Sequence, residues 1–221
     1  MSGALVTATD LGRRYGDRWA LAGVNVRLAA GRSLLVAGHN GAGKTTLLRL
    51  LAGLLRPDAG TVERRGAVGL VGHRGGHWVD LGARETLQID ARLLGRRLDR
   101  AAGEALLGRF GLAGRGDDAV WSFSAGMKKR LALARLALQD PPIVLLDEPY
   151  GELDHDGSDI VDALVRDMLA RGRGLVMSTH SFERAAGLLH HGLVLDGGRM
   201  RWVGAAAEVP TQLARATERA A

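Results

Sequence analysis

The chain has 221 residues, enough for one large α/β domain or one with an inserted subdomain, and a 46% hydrophobic share that suits a packed core. It has no cysteine, which excludes disulfides, iron–sulfur ligation and thiol catalysis and fits a reducing compartment. The net charge of +6, nearly all of it arginine, is scattered among acids without the basic, aromatic-interleaved run of a nucleic-acid groove; it is compatible with an anionic membrane leaflet nearby.

No charge-free apolar run approaches the roughly 20 residues that cross a bilayer. The opening Met1-Ser2-Gly3-Ala4-Leu5 lacks a charged start before an apolar stretch, so no signal peptide is expected. Short strands are predicted at Ala4–Ala8, Trp19–Leu21 and Val24–Leu28, with turns at Gly16-Asp17 and Ala30-Gly31.

The apolar run Ser33–Ala37 then feeds into Gly38-His39-Asn40-Gly41-Ala42-Gly43-Lys44-Thr45-Thr46, and a helix-like run follows to Leu51. Strand, glycine-rich loop and helix are the setting in which G-x-x-x-x-G-K-[ST] binds phosphate. The glycines let backbone N–H groups turn inward around a polyphosphate, and the helix N-terminus adds partial positive charge. Lys44 is placed to reach the β- and γ-phosphates, and the Thr45 hydroxyl to ligate Mg²⁺. The competing reading, a chance glycine-rich turn, does not account for the strand before and the helix after. The motif predicts a nucleoside-triphosphate site.

Arg56-Pro57-Asp58-Ala59-Gly60 is expected to stop that helix, with strands at Thr61–Glu63 and Ala67–Val71. From about residue 76 to 138 helical periodicity takes over, at Glu85–Leu94, Leu98–Phe110 and Ser124–Leu138, which predicts an inserted helical subdomain. Strands return at Ile143–Leu146 and Gly174–Ser178 around a helix at Gly157–Leu169, the alternation of a parallel sheet with flanking helices. A hairpin is expected around Asp196-Gly197-Gly198, and a weak helix from Val209.

The apolar strand Ile143–Leu146 delivers Asp147 to the sheet edge, where a carboxylate can hold Mg²⁺ opposite Thr45. Glu148 follows, is expected on the other face of the strand end, and could polarise an attacking water as general base. His180 ends the next strand and should face the same crevice, because parallel strands present their C-terminal ends to one ligand.

With these residues in view, the chain resembles the nucleotide-binding subunit of an ATP-binding cassette (ABC) transporter over residues 4 to about 205. The stretch Trp121-Ser122-Phe123-Ser124-Ala125-Gly126-Met127 is similar to the family signature LSGGQ, and it precedes the strand ending in Asp147, as in that family. The resemblance implies a P-loop NTPase of the ABC type, α/β, with an N-terminal antiparallel β subdomain and an inserted helical subdomain in one nucleotide-binding domain. It implies ATP and Mg²⁺ as ligands, and a homodimer in which Ser124, Ala125 and Gly126 meet ATP bound on the opposite subunit. It also implies that Asp154 lies in the loop crossing that interface, that Tyr15 stacks on adenine, and that His73 to Leu87 meets an integral membrane subunit. The expected location is the cytoplasmic face of the cell membrane, with no nucleic-acid partner.

Two departures stand out. Met127 replaces the signature glutamine and Ala125 adds a methyl group; His73 stands where the family usually has glutamine, and an imidazole there adds pH sensitivity. The Gly72-His73 pair, Ala83-Arg84-Glu85-Thr86-Leu87 and the Ser-Ala-Gly signature are similar to the short ATPases of cytochrome c maturation, haem exporters. A small ABC exporter of other cargo and a non-transport ABC protein remain as alternatives, the latter without the tandem cassettes or coiled coils usual there.

Overall fold

A computed structural model of the chain describes residues 3–72 and 78–218. Two compact units are present: Met1–Leu70, Pro141–Glu148 and Arg166–Ala221 make the first, and Val71–Asp140 with Pro149–Val165 make the second.

In the first unit, β1 (Ala4–Tyr15), β2 (Arg18–Ala29) and β4 (Ala59–Arg64) form an antiparallel sheet in the order β2-β1-β4. Sequence alternation predicts two strands where β2 is one. Leu11 pairs with Val24 and Arg13 with Leu21, so a bulge at Ala22 and Gly23 (φ 68°) absorbs the apparent break.

The second sheet takes β3 (Ser33–Ala37), β5 (Val68–Val71), β6 (Ile143–Asp147), β7 (Gly174–Ser178), β8 (His191–Asp196) and β9 (Arg199–Ala205) in the order β5-β6-β7-β3-β8-β9. β3, β6 and β7 are buried along their whole length, which is why they read as unbroken apolar runs. β6, β7 and β3 run parallel, so their C-terminal ends share one edge.

Helix α1 (Lys44–Ala52) buries Leu47, Leu48, Leu50 and Leu51 in the core formed with Val6, Leu28, Val36, Leu145 and Val176. It ends earlier than Pro57 predicts. Gly53 adopts φ 79°, and its N–H caps the carbonyls of Arg49 and Leu50.

The second unit holds α2 (Ala83–Leu93), α3 (Arg100–Arg109) and α4 (Ala125–Gln139), which pack on one another. α5 (His155–Ala170) begins in this unit and ends in the first. The short α6 (Phe182–Ala186), absent from the sequence reading, and α7 (Val209–Glu218) belong to the first unit. α2 and α4 are joined by a forked ion pair: Arg135 Nε donates to Asp90 Oδ2 at 2.6 Å and Nη2 to Oδ1 at 3.1 Å. Asp90 is 5% exposed.

Removing one partner of a buried pair strands the other charge. Asp90→Ala is therefore expected to destabilise the fold by about 3 kcal/mol, and Asp90→Ala/Arg135→Met by clearly less. Urea unfolding followed by circular dichroism checks both.

Candidate nucleotide-binding site

The loop after β3 is shaped by two glycines that cannot carry side chains. Gly38 (φ 151°) would set a Cβ 2.3 Å from the Leu195 carbonyl oxygen, and Gly43 (φ 106°) one 2.6 Å from that of Ala20. α1 starts directly after Gly43 with no acidic residue in its first turn, so its first amides and its partial positive charge are left for a ligand. Lys44 is 7% exposed; its Nζ donates to the carbonyls of Gly38 at 2.7 Å and His39 at 3.3 Å. Burial pulls the Lys44 ammonium below the usual lysine range, while the charges of Glu148 and Asp147 push it up.

Strand register assembles the acidic side. Val36 is opposite Ser178, and Ser178 is opposite Asp147. The Ser178 hydroxyl donates to Asp147 Oδ1, and both residues are buried. β6 ends at Asp147. Strand alternation therefore does not govern Glu148; a left-handed turn there (φ 50°) does, and its N–H donates to the Ser178 carbonyl at 2.9 Å. The His180 N–H donates to Glu148 Oε2 at 3.1 Å, and His180 Nε2 lies 3.4 Å from Oε1. Phe182 meets the His180 ring edge-on, centroids 5.8 Å apart.

These elements enclose a pocket of about 290 Å³ lined by Ala20, His39, Asn40, Gly41, Ala42, Gly43, Lys44, Thr45, Thr46, Glu148 and His180. Gly38 and Asp147 shape its frame without lining it. Tyr15 is not among the lining residues; it stands half exposed at the end of β1, paired with Arg18 across the hairpin. Thr45 and Asp147 supply hard oxygen donors of the kind Mg²⁺ takes, with one Asp147 oxygen fixed by Ser178, so the set fits that ion. His73 lies outside the described residues.

In the second unit Ser124 caps α4, its Oγ accepting the Met127 N–H at 3.2 Å. A Cβ on Gly126 would stand 2.7 Å from the Glu152 carbonyl oxygen. Asp154 accepts the Gly157 N–H at 2.8 Å and pairs with Arg130, and these two contacts, the amide first, hold its carboxyl below the usual carboxylate range. The sequence reading missed Ala20, Ser178 and Arg130. Only Ser178, two residues before His180 on the same strand end, carried a local signal.

A family model described as "ABC transporter" matches residues 21–151. The chain is 38% identical over 226 residues to the daunorubicin resistance ATP-binding protein DrrA3 of Streptomyces coeruleorubidus, covering 96% of this chain and 72% of that protein. It is 41% identical over 186 residues to the cytochrome c biogenesis ATP-binding export protein CcmA of Xanthomonas axonopodis pv. citri (strain 306), covering 80% and 86%. A solved structure of an ATP binding subunit of an ABC transporter superposes with a TM-score of 0.84 at 25% identity, covering 94% and 92%. The chain belongs to the ABC transporter family as an ATP-binding subunit, an ATPase of the class that works with membrane transporter subunits. Among the described residues no helix is long and apolar enough to cross a membrane.

Burial disfavours the charged form of Lys44 in the nucleotide-free fold. Lys44→Met is expected to leave or raise the urea midpoint of the nucleotide-free protein while weakening ATP binding at least about tenfold, the loss of one charge-assisted contact. Unfolding curves and calorimetric titration measure the two arms.

Proposed function

We propose that the chain hydrolyses MgATP as one half of a head-to-tail homodimer and thereby moves attached membrane subunits. The observation that carries the reading is the single pocket in which the glycine loop, Lys44, Glu148 and His180 meet. In it the first-turn amides of α1 and Lys44 receive the β- and γ-phosphates. Thr45 and Asp147 hold Mg²⁺, which supplies neutralising charge on the transferred phosphoryl group. Glu148 takes the proton of the attacking water as phosphate leaves ADP, and His180 aligns Glu148 and the γ-phosphate. Ser124, Ala125 and Gly126 receive the phosphate of ATP held by the other subunit, and Asp154 lies in the loop that crosses to it. Tyr15 stacks on adenine. The span from His73 to Leu87 meets the membrane subunit.

For cargo we favour haem export in cytochrome c maturation. Its support is the 41% identity to a cytochrome c biogenesis export protein, joined to the Ser124-Ala125-Gly126 signature and the Gly72-His73 pair. Drug export is the second reading, favoured by the 96% coverage of the chain in the match to a daunorubicin resistance protein.

Glu148→Gln keeps the shape of the side chain and one acceptor oxygen but cannot serve as a base toward water. It is expected to bind ATP, accumulate as a dimer in size-exclusion chromatography, and hydrolyse at least about 100-fold more slowly. In cells lacking the gene, wild type and not this variant is expected to restore covalent haem in c-type cytochromes on a haem-stained gel. Unchanged bands together with altered daunorubicin sensitivity would move the cargo to the second reading.

A further inference from the structure

Tyr15 is held from behind by a charge. The Arg13 guanidinium carbon lies 5.2 Å from the centroid of the Tyr15 ring, within cation–π range. Arg13 is itself pinned: Nη1 donates to the Arg56 carbonyl at 3.2 Å and to Asp58 Oδ1 at 3.3 Å. Asp58 is tied to the same strand, its Oδ2 accepting the Arg14 N–H at 2.8 Å and its N–H donating to the Gly12 carbonyl at 2.9 Å. Arg13 Nε is buried without a hydrogen-bond partner among the described residues, which hydrogen bonding alone would not select. The arrangement holds a planar cation against one side of a ring that is still 51% exposed.

The hairpin places that ring beyond the phosphate pocket. Tyr15 pairs with Arg18, and Ala20, two residues along β2, lines the pocket and abuts Gly43 at the start of α1. Two strand residues span about 7 Å, the scale of the step from a triphosphate toward its base.

We propose that Arg13 is a positioning residue for the nucleobase: it fixes the Tyr15 ring and draws π density toward its charge, strengthening stacking of the electron-rich purine of ATP on the open face. The inference rests on the reading of Tyr15 as the adenine platform. It separates base recognition, held by Arg13, Tyr15 and the Asp58 turn, from phosphate recognition by the glycine loop.

The test is calorimetric titration of the full-length chain and its variants with ATP and with inorganic tripolyphosphate. Arg13→Met is expected to weaken ATP binding about threefold to tenfold while tripolyphosphate binding stays unchanged. Arg13→Lys, which keeps the cation, is expected to recover part of the loss. Arg13→Met/Tyr15→Ala should bind ATP no worse than Tyr15→Ala alone, because the arginine acts through the ring. Equal loss of tripolyphosphate binding in Arg13→Met, or additive losses in the double variant, would overturn the inference as a general defect of the hairpin. Weakened ATP binding in Tyr15→Ala with none in Arg13→Met would sink the role of Arg13 alone. Unchanged ATP binding in Tyr15→Ala would remove the platform and the inference together.

Discussion

Burial on both faces is the constraint from which the site follows. A strand such as β6 or β7 can carry no polar side chain in its interior without an internal partner, so its chemistry is confined to its end. Parallel pairing then aligns those ends. Val36, Ser178 and Asp147 fall in one row across β3, β7 and β6, and the one buried hydroxyl and one buried carboxylate in that row satisfy each other. The first residues past the strand ends are Gly38, Glu148 and Thr179, and His180 follows Thr179. The pocket is thus where three apolar strands run out.

The same residues show why this part of the fold is not built for maximum stability. Lys44 is buried with its charge disfavoured, and Glu148 holds a left-handed backbone that costs a non-glycine residue about 1 kcal/mol or more. Gly38 and Gly43 sit where any Cβ would collide with a carbonyl oxygen. The apolar packing of α1 through four fully buried leucines, Leu47, Leu48, Leu50 and Leu51, offsets these local costs and keeps the loop's frame rigid.

What the sequence made legible was whatever is local. The glycine loop, the buried runs, the Asp196-Gly197-Gly198 hairpin and the helix starting after Ser124 each depend on neighbours in the chain, and periodicity or turn chemistry reports them directly. Pairings set by long-range packing were not legible: Ser178 could be placed at a strand end beside His180, but nothing local pairs it with Asp147, and nothing near Asp154 announces Arg130. The misplaced helix end has a similar cause. Pro57 is the stronger breaker in sequence, but Gly53 reaches the left-handed cap first, and the helix stops where the earliest signal suffices. β2 read as two strands because a bulge breaks alternation without breaking pairing. Glu148 lies past the end of β6, where a left-handed backbone replaces strand geometry.

The departures in the signature can now be sorted by what this chain's own packing requires. Gly126 has no room for a side chain beneath the Glu152 carbonyl, and Ser124 supplies the hydroxyl that caps α4. Both are the residues retained from the family pattern. Ala125 is exposed and Met127 is half-buried, and the chain's fold places no comparable demand on either. The added methyl and the lost amide therefore leave the second unit's architecture intact. Any consequence they have falls on the group that meets the N-terminus of α4 from outside, because an N-terminus without acidic residues still presents its amides and partial charge whether or not a glutamine stands beside it.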